Sequence, residues 1–237
     1  MSTNRPVRVA LEAIGNTPCI ELQNVVPEDC VRVFLKLEGL NPTGSYKERM
    51  ARAVIEEAER RGDLKPGMTV VEATGGIVSS NAFAEEKLKT MAANGATVEG
   101  AGMGMGVCRI LKSHYADCRV TVLEPASAPM ITKGYEGPHS VEGIGIGFIP
   151  PLLDKSLYDD ARAVDESEGR VISQRVAKEE GVLAGTSTGL NVVAAIQLAK
   201  ELGPGNIVAT VVCDSGLKYL QGDLFTEKIE DCILFET

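Results

Sequence analysis

Residues 41–49 read Asn41-Pro42-Thr43-Gly44-Ser45-Tyr46-Lys47-Glu48-Arg49. Pro42 and Gly44 build a tight turn, and the run after it, 50–61, is rich in Ala, Glu and Arg and reads as a helix. Asn41 and Ser45 are residue types that cap a helix start. The turn thus delivers one lysine, Lys47, to the amino-terminal end of a helix. The helix dipole is positive there, which disfavours a cation and favours the neutral, nucleophilic amine. A lysine in that setting is suited to forming Schiff bases. From this stretch alone, a solvated lysine after a tight turn is the alternative.

Outward from this turn the chain alternates strand and helix. Strands are predicted over 31–37, 68–72, 119–123 and 207–213. Helices are predicted over 46–61, 82–93, 106–115, 166–180, 189–202 and 226–232. Strands alternating with helices of this length imply an α/β fold, with a mostly parallel sheet covered on both faces. Apolar runs such as Val120-Thr121-Val122-Leu123 and Ile207-Val208-Ala209-Thr210-Val211-Val212 suit strands buried in such a sheet.

The bulk numbers narrow the function. The chain has 237 residues, 44% of them hydrophobic, enough for one large domain or two small ones with a sizeable core. Lys plus Arg number 24 and Asp plus Glu 33, a net charge of −9, which argues against nucleic acid or an anionic membrane as the main partner. The first nine residues are short, polar and basic with no apolar stretch behind them, unlike a signal peptide, and no run approaches membrane-spanning length. A cytoplasmic protein is expected. Cys19, Cys30, Cys108, Cys118, Cys213 and Cys232 are scattered, without a Cys-x-x-Cys pair, and read as reduced thiols. His114 and His139 stand apart, so no zinc site and no His-based triad is expected.

Further motifs surround the lysine. Ile14-Gly15-Asn16-Thr17-Pro18 precedes it. Downstream come Glu72-Ala73-Thr74-Gly75-Gly76, Glu142-Gly143-Ile144-Gly145-Ile146-Gly147-Phe148-Ile149-Pro150, Ala184-Gly185-Thr186-Ser187-Thr188-Gly189, and Cys213-Asp214-Ser215-Gly216-Leu217-Lys218-Tyr219-Leu220. In this order, from about Leu11 to Leu224, the set resembles the cysteine synthase and cystathionine β-synthase family of pyridoxal-phosphate (PLP) enzymes. The resemblance implies a fold like that of the tryptophan synthase β chain: two α/β domains, mostly parallel sheets covered by helices, and a site between them. It implies a smaller mobile domain over 31–99, a larger PLP-binding domain from 1–30 plus 100–237, and a homodimer.

The resemblance also implies roles. Lys47 would hold PLP and act as general base on the substrate α-proton. Gly100, Ala101, Gly102 and Met103 lie in a glycine-rich stretch ahead of a helix, where free N–H groups suit the phosphate; a plain strand-to-helix turn is the alternative. Ser187 occupies the position facing the pyridine nitrogen, unless Ser187 or Thr188 merely caps the following helix. Asp214 follows a strand, where α/β sites collect. Thr74, Gly75 and Gly76 would bind the substrate carboxylate, and Gly143 would let backbone approach the cofactor. The expected reaction is β-replacement on an activated L-serine, most simply O-acetylserine plus sulfide giving L-cysteine and acetate. Cystathionine β-synthase-like or O-phosphoserine-dependent chemistry is the alternative. Tyr46 and Glu48 stand where many family members carry Phe or Val, and Asp.

Two junctions depart from the family pattern. After Gly76, and between Glu99 and Gly100, the sequence lacks internal segments that the family carries. A non-catalytic member of the fold acting as a binding or regulatory protein is the rival reading these junctions motivate. A nicotinamide site fails on spacing, because the third glycine of Gly-x-Gly-x-x-Gly falls on Met105 although Glu124 ends the next strand. A Walker A loop fails because Gly44 is followed by Ser-Tyr-Lys.

Overall fold

A computed structural model describes residues 9–28, 30–68 and 102–226. In chain order the elements are β1 (Cys19–Glu21), β2 (Arg32–Lys36), α1 (Lys47–Arg61), α2 (Gly102–His114), β3 (Thr121–Pro125), β4 (Asp160–Val164), α3 (Glu166–Glu179), α4 (Thr186–Leu202) and β5 (Ile207–Val211), with short 3-10 turns at Ala10–Ala13, Glu38–Leu40 and Gly216–Tyr219. The segments predicted over 69–72, 82–93 and 227–232 lie outside the described residues.

β2 is the middle strand of a three-stranded sheet. β1 pairs with it antiparallel, and β5 pairs with it in parallel from Arg32 opposite Ile207 to Lys36 opposite Val211. This strand was expected in the smaller domain; its hydrogen bonds place it beside the carboxyl-terminal β5. β2 alternates with period two. Val33 and Leu35 are fully buried, while the Arg32 guanidinium stacks over the Phe34 ring on the other face, 4.8 Å from its centroid. A second sheet pairs β3 with β4 in parallel, Thr121 opposite Asp160. β1 is three residues long, and β4 reads Asp-Ala-Arg-Ala-Val, so neither carries an apolar run that sequence periodicity can detect.

α4 joins the two sheets. It contacts β2 and β5 of one and β3 and β4 of the other. It is apolar around most of its circumference, with Leu190, Val192, Val193, Ala194, Ala195, Ile196 and Ala199 buried, as a helix enclosed on several sides requires. α3 packs along it, and the approach is set by glycine: a Cβ on Gly189 would lie 1.8 Å from the Gly169 carbonyl oxygen and 2.3 Å from Ser173 Oγ. Asp165 caps α3, its carboxylate accepting from the Ser167 and Glu168 N–H groups at 2.8 and 3.4 Å. α1 ends at Gly62, whose φ of 79° allows its N–H to reach the Ala58 and Glu59 carbonyls.

The glycine-rich stretch behaves differently from expectation. α2 begins at Gly102, so Gly102 to Gly106 are helical instead of forming a loop ahead of a helix at 106. A Cβ at Gly104 or Gly106 would meet nothing within 4 Å, so no close approach demands glycine there. Met105 and Cys108 are buried with Leu153, and their packing outweighs the entropic cost of helical glycine.

Candidate active site

Both turns that flank the site are stitched to the residues following β5. The Tyr46 N–H donates to the Cys213 carbonyl at 3.1 Å, and the Ser215 N–H donates to the Gly44 carbonyl at 2.8 Å. Ser45 thereby bridges Asp214 as a short antiparallel extension of the sheet. On the other side Ala184 bridges Ser215, and the Gly216 N–H donates to the Leu183 carbonyl at 3.0 Å. The lysine turn, the end of β5 and the start of α4 therefore meet at one place. It lies at the carboxyl ends of the parallel strands β2 and β5, where open α/β sheets collect ligands.

Four predicted residues converge there. Lys47 is exposed at the first position of α1. A Cβ on Gly143 would sit 4.0 Å from its Nζ, and Gly143 holds a φ of 83°, a conformation natural to glycine. Two residues on, Gly145 gives its carbonyl to His139 Nε2 at 2.7 Å, and the imidazole fills the space a Cβ would need. Ser187 is buried in the first turn of α4, its hydroxyl against the Cys213 thiol. The Asp214 carboxylate accepts from the Tyr219 hydroxyl at 3.1 Å through Oδ2, while Oδ1 is buried without a partner.

Neither Ser187 nor Thr188 caps α4, because the helix starts at Thr186 with Gly185 in the capping place and no side-chain bond. Thr188 Oγ1 instead accepts from the Cys213 N–H at 3.2 Å. Ser187 sits in the same turn, beside the Cys213 thiol. Glycine at 185 is required by space, since a Cβ would come within 2.4 Å of Asp214 Oδ1 and 2.5 Å of the Tyr219 ring.

The electrostatics are those of a desolvated pocket floor. Burial pushes the Cys213 thiol up to about 11. Burial, then the neighbouring Cys213 and Asp214, push the Tyr46 phenol up to about 12. Asp214 is also raised by burial, against the Tyr219 hydrogen bond and the positive charges of Lys218 and Lys47. Tyr219 is raised by burial and by the carboxylates of Asp214 and Glu142.

Behind α1 lies a second polar cluster that sequence reasoning missed. The Glu38 carboxylate accepts from Thr17 Oγ1 at 2.7 Å, from Arg49 Nε at 2.6 Å and from Asn41 Nδ2 at 2.9 Å. Asn41 Oδ1 accepts from the Gly15 N–H at 2.8 Å. Asn41 is therefore occupied away from the helix start it was expected to cap, and Ser45 Oγ alone accepts from the Lys47 N–H, at 3.3 Å. Glu38, Asn41 and Arg49 flank the lysine in the sequence and were the available signal, whereas Thr17 lies 32 residues before Arg49.

Thr74, Gly75, Gly76, Gly100 and Ala101 lie outside the described residues. Gly102 and Met103 open α2. Glu124 binds the Ile131 and Thr132 N–H groups at 2.6 and 2.8 Å, so both oxygens are committed to a turn and free for no ribose. Among the described residues no group of three or more His, Cys, Asp or Glu could hold a metal, and no helix is long and apolar enough to cross a membrane.

A profile of pyridoxal-phosphate dependent enzymes matches residues 10–81 and 89–214. This chain belongs to that family. A cysteine synthase of Staphylococcus aureus is 32% identical over 304 residues, covering 94% of this chain and 98% of the relative. Since 94% of 237 residues is about 223, about 80 positions of that relative have no counterpart here. The solved structure of O-ureido-L-serine synthase superposes with a TM-score of 0.78 at 26% identity, covering 96% of this chain and 98% of that one. A cysteine synthase from Entamoeba histolytica superposes at 0.81 over 98% and 94%, and at 23% identity it speaks to the fold alone. The cofactor of the family is PLP. The residues present fit it: an exposed amine, glycine in front of that amine, a buried hydroxyl on Ser187 and an orphaned oxygen on Asp214.

Proposed function

We propose that this PLP enzyme performs β-replacement on an activated L-serine, with O-acetylserine as donor and sulfide as nucleophile, releasing L-cysteine and acetate. The observation that carries this reading is the convergence of Lys47, Gly143, Ser187 and Asp214 at the carboxyl ends of β2 and β5. Bound PLP supplies an electron-accepting ring that acidifies the substrate Cα–H bond.

Lys47 Nζ would hold the cofactor, and the same amine would act as general base on the substrate α-proton. Its exposure leaves the substrate room to approach. The Ser187 hydroxyl would hold the ring nitrogen. A hydroxyl, unlike a carboxylate, does not keep that nitrogen protonated, which favours loss of a β-leaving group. Gly102 and Met103 start α2, where N–H groups lack intrahelical partners and suit a phosphate. Relatives named cysteine synthase support the sulfur nucleophile. A relative named O-ureido-L-serine synthase makes the nucleophile the variable to test. The chain works as a homodimer in the cytoplasm.

The test is the visible absorption of the PLP-loaded protein, followed by addition of O-acetylserine and then sulfide. A band that requires Lys47, shifts with O-acetylserine and returns with sulfide as cysteine forms is the expected result. A band indifferent to O-acetylserine transfers the reading to another activated serine. No band, or a band unchanged in Lys47→Ala, would overturn it in favour of a non-catalytic fold member.

A further inference from the structure

α1 carries the reactive lysine, yet it has no buried side chain among the described residues, so apolar packing of its own does not define where it sits. Its capping place, Tyr46, makes no side-chain cap bond. The first turn also carries two cations, Lys47 and Arg49, at the end of the helix where the dipole is positive. Backbone bonds at Gly44 and Tyr46 tie the turn before Lys47 to the strand end after β5, but they stop at residue 46, and the helix beyond needs its own anchor.

The Glu38 cluster supplies it. Glu38 is 6% exposed, Thr17 7% and Asn41 3%, and each donor to the Glu38 carboxylate comes from a different segment around the lysine. Thr17 brings the amino-terminal arm, Asn41 the turn, and Arg49 the helix, with Arg49 Nη2 also donating to Thr17 Oγ1 at 3.4 Å. Asn41 Nδ2 donates as well to the Glu38 carbonyl, at 2.7 Å. Burial works to raise the Glu38 carboxyl, but the bonds from Arg49, Thr17 and Asn41 prevail and hold it below its ordinary value. Arg49 follows Lys47 by two residues, so the two side chains leave α1 about 200° apart. Glu38 grips the back of the helix and leaves the front to the amine. On the near side the Glu48 carboxylate closes the turn, accepting from the Thr43 hydroxyl at 2.6 Å.

We infer that Glu38, acting through Arg49, Thr17 and Asn41, is the positioning residue for Lys47. The inference rests on Lys47 being the reactive amine. With Glu38 buried and Arg49 still 43% exposed, the pair is weak as a source of stability, because desolvation of Glu38 offsets the attraction, and is better suited to fixing one geometry. An error of about 1 Å in a reacting group is enough to cost on the order of a hundredfold in rate.

The test is reductive methylation of the full-length, cofactor-free protein, read by peptide mass spectrometry as the rate at Lys47 divided by the rate at the exposed Lys65. Glu38→Gln keeps the shape and removes the charge; Arg49→Lys keeps the charge and removes the fork. Val208→Ala, in the buried core of β5 away from the cluster, matches any loss of melting temperature. Both variants should change the normalised Lys47 rate at least about threefold while Val208→Ala leaves it unchanged. A normalised rate equal to wild type in the folded variants overturns the inference, as does an equal change in Val208→Ala. If Glu38→Gln does not fold, Arg49→Lys decides. Failure of the PLP reading shows separately, as wild-type protein that retains no PLP on gel filtration.

Discussion

At the scale of single residues, burial decides which polar groups in the site react. Cys213 stands in the same short stretch as Asp214; the residue is partly buried, and desolvation pushes its thiol up to about 11. It is therefore neutral at physiological pH and a poor nucleophile. Alkylation at pH 8 should label the exposed Cys19 and spare Cys213 until the protein unfolds, which peptide mass spectrometry reads directly. The same shifts set an alkaline limit. The unfolded chain gives up the Cys213 proton near 9 and the Tyr46 proton near 10, whereas the folded protein holds them to about 11 and about 12. Across that window the unfolded state binds fewer protons, so stability falls as pH rises. Urea midpoints should drop between pH 9 and pH 12, and Cys213→Ala should flatten the lower part of that fall.

At the scale of elements, glycine has opposite meanings in two helices. At the α3–α4 crossing Gly189 abuts the Gly169 carbonyl, and a methyl group has nowhere to go. Gly189→Ala should destabilise by about 2–4 kcal/mol and also weaken PLP retention, since the displaced helix carries Ser187. In α2, Gly104 and Gly106 face open space, so Gly106→Ala should raise the melting temperature, in keeping with about 0.5–1 kcal/mol for helical Gly to Ala. Its PLP retention should be unchanged. Circular-dichroism melts of both variants separate the cases. A PLP defect in Gly106→Ala would restore the loop reading of this stretch. The misplaced start of α2 shows why it was hard to see: glycine run and helix compete locally, and only the burial of Met105 and Cys108 against Leu153 settles it.

At the scale of the whole molecule, α4 holds two sheets that have no strand in common. Ile196, 2% exposed, lies in this shared helix. Ile196→Ala should cost about 2–5 kcal/mol, and hydrogen exchange should speed in β2 and in β3 together. Exchange rising in only one sheet would mean that the sheets unfold independently. The fold persists although about 80 positions of a cysteine synthase relative have no counterpart. The parts that are present include every strand end from which the described site is built.

The sequence by itself determined the alternating α/β plan and brought forward Lys47 from its turn and Ser187, Asp214 and Gly143 from a family resemblance, because turns, glycines and short motifs are local signals. β1 and β4 were illegible, since three residues or a polar strand carry no periodicity and form only when a neighbour offers its edge. The tertiary structure alone decided that Ser45 pairs with Asp214, that Thr188 serves the backbone, and that Glu38 grips Arg49. These are contacts between segments distant in the chain. Local preference leaves each of those side chains several partners, and burial leaves it one.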